Sequence, residues 1–292
     1  MACAVAASLS LALAADPQTV YRSRADVVVI DVLVTDDGKP VTTLAKSDFV
    51  LRDNGVVQSI LDVDQGTLPL DVTLTLDISG SMTEKKRAAL ERAVRQVSGA
   101  LEPADRGAVV TFARRAALTK PLRHPPIAAA LTVTGLGTSL LDALLLSLAT
   151  AQVPGRRQLN VFMTDGDDTS SFFDESTVLE TAEHAHAMMS FVVVRGGGTR
   201  ADGGVLDVFE SVAGATGGEV IRIDEDDQLS DAFLAAIRNF RLSYVLRYAP
   251  AGGPAPGWHD VTVTVASGDY EVRARRGYQA PEGRQGPPSP AD

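Results

Sequence analysis

At 292 residues, 45% hydrophobic and 22% charged, the chain has ordinary globular composition, long enough for one large domain and a smaller companion. A formal net charge of −10 and a pI near 4.9 argue against nonspecific nucleic-acid binding, which needs a basic face. One cysteine, Cys3, excludes a disulfide framework.

The opening run, Met1 to Ala15, is apolar, rich in small residues and ends in Ala-x-Ala spacing before Asp16, as a cleaved export signal does, although it lacks a basic leader. It is shorter than the ~20 apolar residues that span a bilayer, so a transmembrane anchor is not expected. Cys3 would leave with it. Residues 16–67 then read as a β segment: the β-branched run Asp26 to Thr35, the turn Asp36-Asp37-Gly38-Lys39-Pro40, and strands at Asp48 to Arg52 and Val56 to Val63 around Asp53-Asn54-Gly55.

From residue 68 to 240 the texture changes to apolar strands alternating with helical stretches. Strands are expected at Val72 to Asp77, Ala108 to Phe112, Asn160 to Thr164, Ser190 to Val194 and Glu219 to Ile223. Helices are expected near Glu84 to Ala100, Ser139 to Gln152, Glu175 to Met189, Val205 to Ala213 and Gln228 to Phe240. This alternation predicts an α/β domain, a doubly wound and mostly parallel sheet covered by helices on both faces. Residues 241–280 return to β texture, with strands at Leu242 to Tyr248, His259 to Ala266 and Tyr270 to Arg275. Both β flanks are expected to pair in one small β-sandwich with the α/β domain inserted between them. Residues 281–292, rich in Pro, Gly and Ser, read as a disordered tail.

Chemistry concentrates where the first strand of the α/β region stops. Asp77-Ile78-Ser79-Gly80-Ser81 sets three hard oxygen groups within five residues, a donor set that a small divalent cation accepts. Alone, this cluster fits a helix cap equally well. Two further segments add to it: Gly137-Thr138-Ser139, opening an apolar helix, and Thr164-Asp165-Gly166, where another apolar strand ends on an aspartate. In this order and spacing the three pieces resemble the von Willebrand factor A domain with its metal-ion-dependent adhesion site. The resemblance implies that Ser79, Ser81 and Thr138 contact the ion, that Asp77 and Asp165 act directly or through water, and that the ion is Mg2+, with Mn2+ or Ca2+ as alternatives. The two β flanks resemble those of a sequence-defined family of secreted bacterial proteins, best known from acidobacteria, that carry a related domain.

A shell dominated by hydroxyls leaves the cation much of its charge and an open position. The expected function is therefore an exported adhesion-type module, not an enzyme, that captures an Asp or Glu carboxylate of a protein partner. Two alternatives are a magnesium-dependent phosphohydrolase, for which Asp77 would be nucleophile, and a structural module with a vestigial metal loop. The first is disfavoured because the place of its general acid is held by Ser79. Asp167 and Asp168 read as a solvated loop, and Asp224 to Asp227 as the cap of the last helix. His184 and His186 fall two apart on the third helix and so point away from each other, and His124 and His259 are isolated. Arg195-Gly196-Gly197-Gly198 lacks the Lys-Ser or Lys-Thr of a phosphate loop.

Overall fold

A computed structural model describes residues 27–280 apart from 129, 150–152, 154, 166, 195–203 and 251–254. The expected export signal, the expected disordered tail and the Arg195 glycine cluster lie outside the described residues. The chain runs β1 (Val28–Asp36), β2 (Lys39–Pro40), β3 (Phe49–Asp53), β4 (Val56–Gln58), β5 (Ile60–Gln65), β6 (Leu70–Asp77), α1 (Glu84–Ala100), β7 (Arg106–Phe112) and β8 (Ala116–Arg123). There follow α2 (Leu140–Leu148), β9 (Arg157–Thr164), α3 (Glu175–His184), β10 (Met188–Val194), α4 (Val205–Thr216), β11 (Val220–Ile223), α5 (Leu229–Leu242), β12 (Tyr244–Tyr248), β13 (Gly257–Val265), β14 (Glu271–Ala274) and β15 (Gly277–Ala280).

Six strands form the α/β sheet in the order β11-β10-β9-β6-β7-β8, parallel except for β8, which runs antiparallel to β7. The side-chain period of two sends alternate residues to opposite faces. Val72, Leu74, Leu76, Val161, Met163 and Val192 pack under α1 and α5. On the other face Phe112, Phe162, Phe191 and Phe209 pack with apolar residues of α2, α3 and α4. Phe191 and Phe209 stack at 4.4 Å, and Phe162 sits 5.0 Å from Phe112 and 5.8 Å from Phe191. Both faces of β6 and β9 are buried, so the polar residues that alternate along β6, such as Thr73 and Thr75, lie inside as well as its leucines.

Two antiparallel sheets, β14-β1-β12-β5 with β2 paired to β1, and β15-β13-β3-β4, take their strands from both ends of the chain. β1 pairs with β12 and β14, and β3 with β13, so the segments flanking the α/β region are joined by hydrogen bonds. The two sheets share one apolar cluster that includes Ile30, Val32, Leu51, Leu246 and Val263. Arg157, at the start of β9, links this cluster to the α/β sheet. Its guanidinium bonds Asp31 Oδ1 at 2.7 Å and Ser243 Oγ at 2.5 Å and lies 4.1 Å over the ring of Phe240. Beside it a cavity of ≈ 600 Å³, lined among others by Arg247, Arg275 and His184, opens at the amino end of β9.

Several sequence expectations need correction. β8 was not anticipated, because Ala116–Arg123 carries charges and Pro121 on an exposed edge. α3 stops at His184 instead of continuing to Met189, since the run from Met188 to Val194 joins the sheet; His186 therefore lies outside the helix. α5 extends through Leu242, and Asp226–Gln228 form a separate short 3-10 turn before it.

His259 is not idle. It is 6% exposed, with Nδ1 2.6 Å from Asp53 Oδ1, Nε2 2.7 Å from the Ala255 carbonyl, and its ring stacked on Tyr278. Tyr248 and Tyr278 donate to Asp53 Oδ2, and burial pushes the Tyr278 hydroxyl up to about 12. Both ring nitrogens of His259 thus face acceptors, which requires the imidazolium. Burial opposes that charge, but the bonds to Ala255 and Asp53 outweigh it and hold the pKa above the usual imidazole value. A raised folded-state pKa gives stability that is complete below the unfolded value of ~6.5 and is lost as pH rises through the folded value. The melting temperature is therefore expected to fall across that window on the alkaline side. His259→Gln should flatten the fall, and a variant with the same pH profile as the parent would refute the assignment.

Among the described residues no helix is long and apolar enough to cross a membrane.

Candidate functional site

β6 and β9 are neighbours, and the chain leaves them in opposite directions across the sheet, β6 toward β7 and β9 toward β10. At such a switch point the loops beyond the strands' carboxyl ends splay apart and leave a crevice, where ligands of open α/β sheets bind. Asp77 closes β6 and Asp165 follows β9, with Leu76 registered against Met163. Asp77, Ser79, Ser81 and Asp165 meet in this crevice.

Asp77 is fully buried. Its Oδ1 accepts from the Ser79 N–H at 2.8 Å, and its Oδ2 from Thr164 Oγ1 at 2.8 Å. Burial pushes its pKa up, hydrogen bonds from Ser79 and Thr164 work against that, and the charge of Asp165 adds to the rise. Ser79 Oγ lies 3.1 Å from Ser81 Oγ, and Ser81 Oγ donates to Asp165 Oδ1 at 3.0 Å. Asp77, Ser79, Ser81 and Asp165 therefore form one hydrogen-bonded chain. Asp77, Ser79, Thr138 and Asp165 are all buried.

Thr138 comes from a separate loop that the backbone presses against this chain. The Thr134 N–H donates to the Ile78 carbonyl at 3.1 Å, and a Cβ on Gly80 would stand 3.1 Å from the Gly135 carbonyl, so a larger residue at 80 would push the loops apart. On its other side the Thr138 carbonyl accepts from Thr169 and Ser170, and its own N–H donates to Thr169 Oγ1 at 2.8 Å. Gly137, at φ +100°, allows this: a side chain there would collide with Ser170 Oγ as well as strain the backbone. Thr138 is thus held beside the segment that follows Asp165.

Two residues of this site carried no functional expectation. Lys86 Nζ pairs with Asp165 Oδ2, its side chain 12% exposed against 1% for the carboxylate. Lys86 sits in the first turn of α1, capped by Thr83, where the helix dipole disfavours a cation. That mismatch was the available signal. Asp168, expected in a solvated loop, instead accepts from the Leu140 N–H at 2.8 Å and from Ser171, and so caps α2, whose own N-cap Ser139 makes no side-chain cap.

Does this set suit a divalent cation? Octahedral Mg2+ with bonds near ~2.1 Å places neighbouring ligands about 3 Å apart. The Ser79–Ser81 and Ser81–Asp165 oxygen separations of 3.1 and 3.0 Å match that edge. The Lys86 ammonium already places positive charge on Asp165. Among the described residues no three His, Cys, Asp or Glu side chains gather around a common point, so a cation would depend on hydroxyl oxygens. The oxygens of Ser79, Ser81 and Asp165 are thus spaced as a small hard cation requires.

No protein-family model matches the sequence, and no curated protein matches it. Solved structures do resemble it. A von Willebrand factor type A protein from Catenulispora acidiphila is 13% identical, matching 91% of this chain and 76% of its own with a TM-score of 0.51. The ArnB paralog VWA2 from Sulfolobus acidocaldarius is 12% identical over 87% of this chain and 76% of its own, with a TM-score of 0.49. Proximal thread matrix protein 1 of the mussel byssus, solved with a zinc-occupied MIDAS motif, is 14% identical over 60% of this chain, with a TM-score of 0.49. This chain spans 48% of that protein's length. The Catenulispora likeness, together with the sheet order and helix layers, makes the fold von Willebrand factor A-like.

Proposed function

We propose that this von Willebrand factor A-like protein is an exported binding module that holds a divalent cation, Mg2+ in the first instance, and uses it to capture a carboxylate of a partner protein. Ser79, Ser81 and Thr138 would hold the ion, with Asp77 and Asp165 supporting them. The observation that carries the reading is the pair of oxygen separations from Ser79 to Ser81 and on to Asp165, which suit the edge of an octahedral shell. A cation held mainly by neutral hydroxyls keeps the charge with which to attract an incoming acid.

Residues 68–240 would form the A-type domain, inserted into a β-sandwich built by residues 16–67 and 241–280. The shared core of the two antiparallel sheets supports that division. Export rests on the character of residues 1–15. An enzymatic reading gains little, because Ser79 stands where a phosphohydrolase needs its second aspartate.

Calorimetric titration with Mn2+ tests the proposal. Binding is expected for the parent protein. Lys86→Met should tighten it by about tenfold, because the ammonium on Asp165 repels the incoming ion with roughly 1–2 kcal/mol even at the dielectric of water. Absence of heat in both proteins would sink the cation reading. Equal affinities would show that Lys86 does not compete for Asp165.

A further inference from the structure

The cavity at the amino end of β9 lies at the opposite end of that strand from Asp165. The start of β1 forms one of its walls. Side chains alternate along a strand, so Val29 and Asp31 share the face turned away from the sandwich core that holds Ile30 and Val32. Val29 and Val27, the residue just before the strand, are each 48% exposed, and the register sets Arg247 directly across from Val29. At ≈ 600 Å³ the cavity has the size of sites that take small organic molecules.

Its charges do not all cancel. The described residues that line it include four arginines and two acids, Asp31 and Glu183, with His184 and His186 exposed among them. Three of the arginines are engaged: Arg156 by Asp71 at 2.6 Å, Arg157 by Asp31 at 2.7 Å and Arg247 by Asp62 at 2.8 Å. Arg275 is the exception. It donates from Nε to the Gly277 carbonyl at 2.6 Å and from Nη2 to the Glu183 carbonyl at 3.0 Å, and pairs with no carboxylate among the described residues. Burial pulls its pKa below the usual guanidinium value, and Asp31, the one acid near enough to work against that, is already held by Arg157. Arg157 Nη1, buried in the same lining, also finds no acceptor among the described residues. A cation withdrawn from water without a counter-charge is costly, and an anion in the cavity would relieve it.

We propose that this cavity binds a small organic acid with an apolar body, the carboxylate taken by Arg275 and the body laid along Val27 and Val29. From Val27 to Asp31 the extended chain covers roughly 13 Å, about the length of a ten-carbon acid. The site shares no residue with the candidate cation site, so either reading can fail alone.

Calorimetric titration of the full chain with decanoate in EDTA tests the proposal, with 1-decanol and acetate as controls. Decanoate is expected to bind, 1-decanol to bind at least about tenfold more weakly, and acetate not to bind detectably. Arg275→Gln should weaken decanoate by roughly 10- to 100-fold, the loss of a charge-assisted hydrogen bond, and leave 1-decanol unchanged. Because Arg275 also ties down two carbonyls, Val29→Glu supplies a second variant at a half-exposed position: its carboxylate should repel decanoate by at least about tenfold while the melting temperature is kept. Absence of decanoate binding, equal affinities for decanoate and 1-decanol, or undiminished decanoate binding by either variant would overturn the proposal.

Discussion

Asp77→Ala is expected to weaken divalent-cation binding by roughly 100-fold or more and to destabilise the protein at the same time. The carboxylate is fully buried and satisfies both the Ser79 N–H that begins the turn and the Thr164 hydroxyl on the neighbouring strand. Alanine would leave both donors without an acceptor, at about 1–3 kcal/mol each where water does not reach them. Relief of a buried charge offsets part of that cost, because burial already pushes the Asp77 carboxyl pKa up. Asp77→Asn separates the two effects: it keeps the shape and one acceptor oxygen, so stability should be nearly retained while cation binding is still lost. Calorimetry for the ion and denaturant midpoints for stability read the two outcomes independently. Undiminished Mn2+ binding by the Asn variant would remove Asp77 from the site.

Phe162→Ala is expected to produce the largest loss of stability, about 3–5 kcal/mol. Phe162 is fully buried at the centre of four aromatic rings, and the helices α2, α3 and α4 rest on that cluster. Truncation removes the transfer free energy of the ring and leaves a void that three neighbouring rings cannot all collapse to fill. Against a typical total of about 5–15 kcal/mol, such a loss brings the protein near its unfolding threshold. Phe172→Ala provides the contrast: with 87% of its surface in solvent, its truncation should stay within about 0.5 kcal/mol. Urea unfolding of both variants checks the pair. A cost below about 1 kcal/mol for Phe162→Ala would contradict its place in the core.

Local patterns were the most legible. α1 begins at Glu84 and ends at Ala100 as its sequence suggests, because Thr83 supplies a cap and the apolar positions Leu90, Val94 and Val97 repeat at helical spacing. The strands that end on Asp77 and Thr164 were visible from their apolar residues, Val72, Leu74 and Leu76 in one and Leu159, Val161, Phe162 and Met163 in the other. α3 was overextended because Ala185, His186 and Ala187 do not themselves forbid helix; tertiary pairing of Met188 and Met189 with Leu159 and Asn160 decides otherwise. β8 was hidden by its charged, Pro-bearing edge character.

Contacts between distant parts of the chain were the least legible. The partner of His259 is 206 residues away in sequence and that of Lys86 is 79 away, so neither pairing leaves a local trace. Among the candidate ligands, Asp77, Ser79 and Ser81 share one strand end, and proximity in sequence already implied proximity in space. Thr138 and Asp165 needed the sheet order to bring them near. The roles of Asp142 and Asp168 in anchoring the surrounding loops emerge only from the hydrogen bonds their carboxylates accept.

A crystal soaked in Mn2+ and measured at an anomalous wavelength tests the central claim most directly. The account predicts one strong peak in the β6–β9 crevice, within about 2.0–2.2 Å of the hydroxyl oxygens of Ser79, Ser81 and Thr138, with the Lys86 ammonium moved off Asp165. A crevice without a peak, or an ion bound where those three hydroxyls do not reach it, would contradict it.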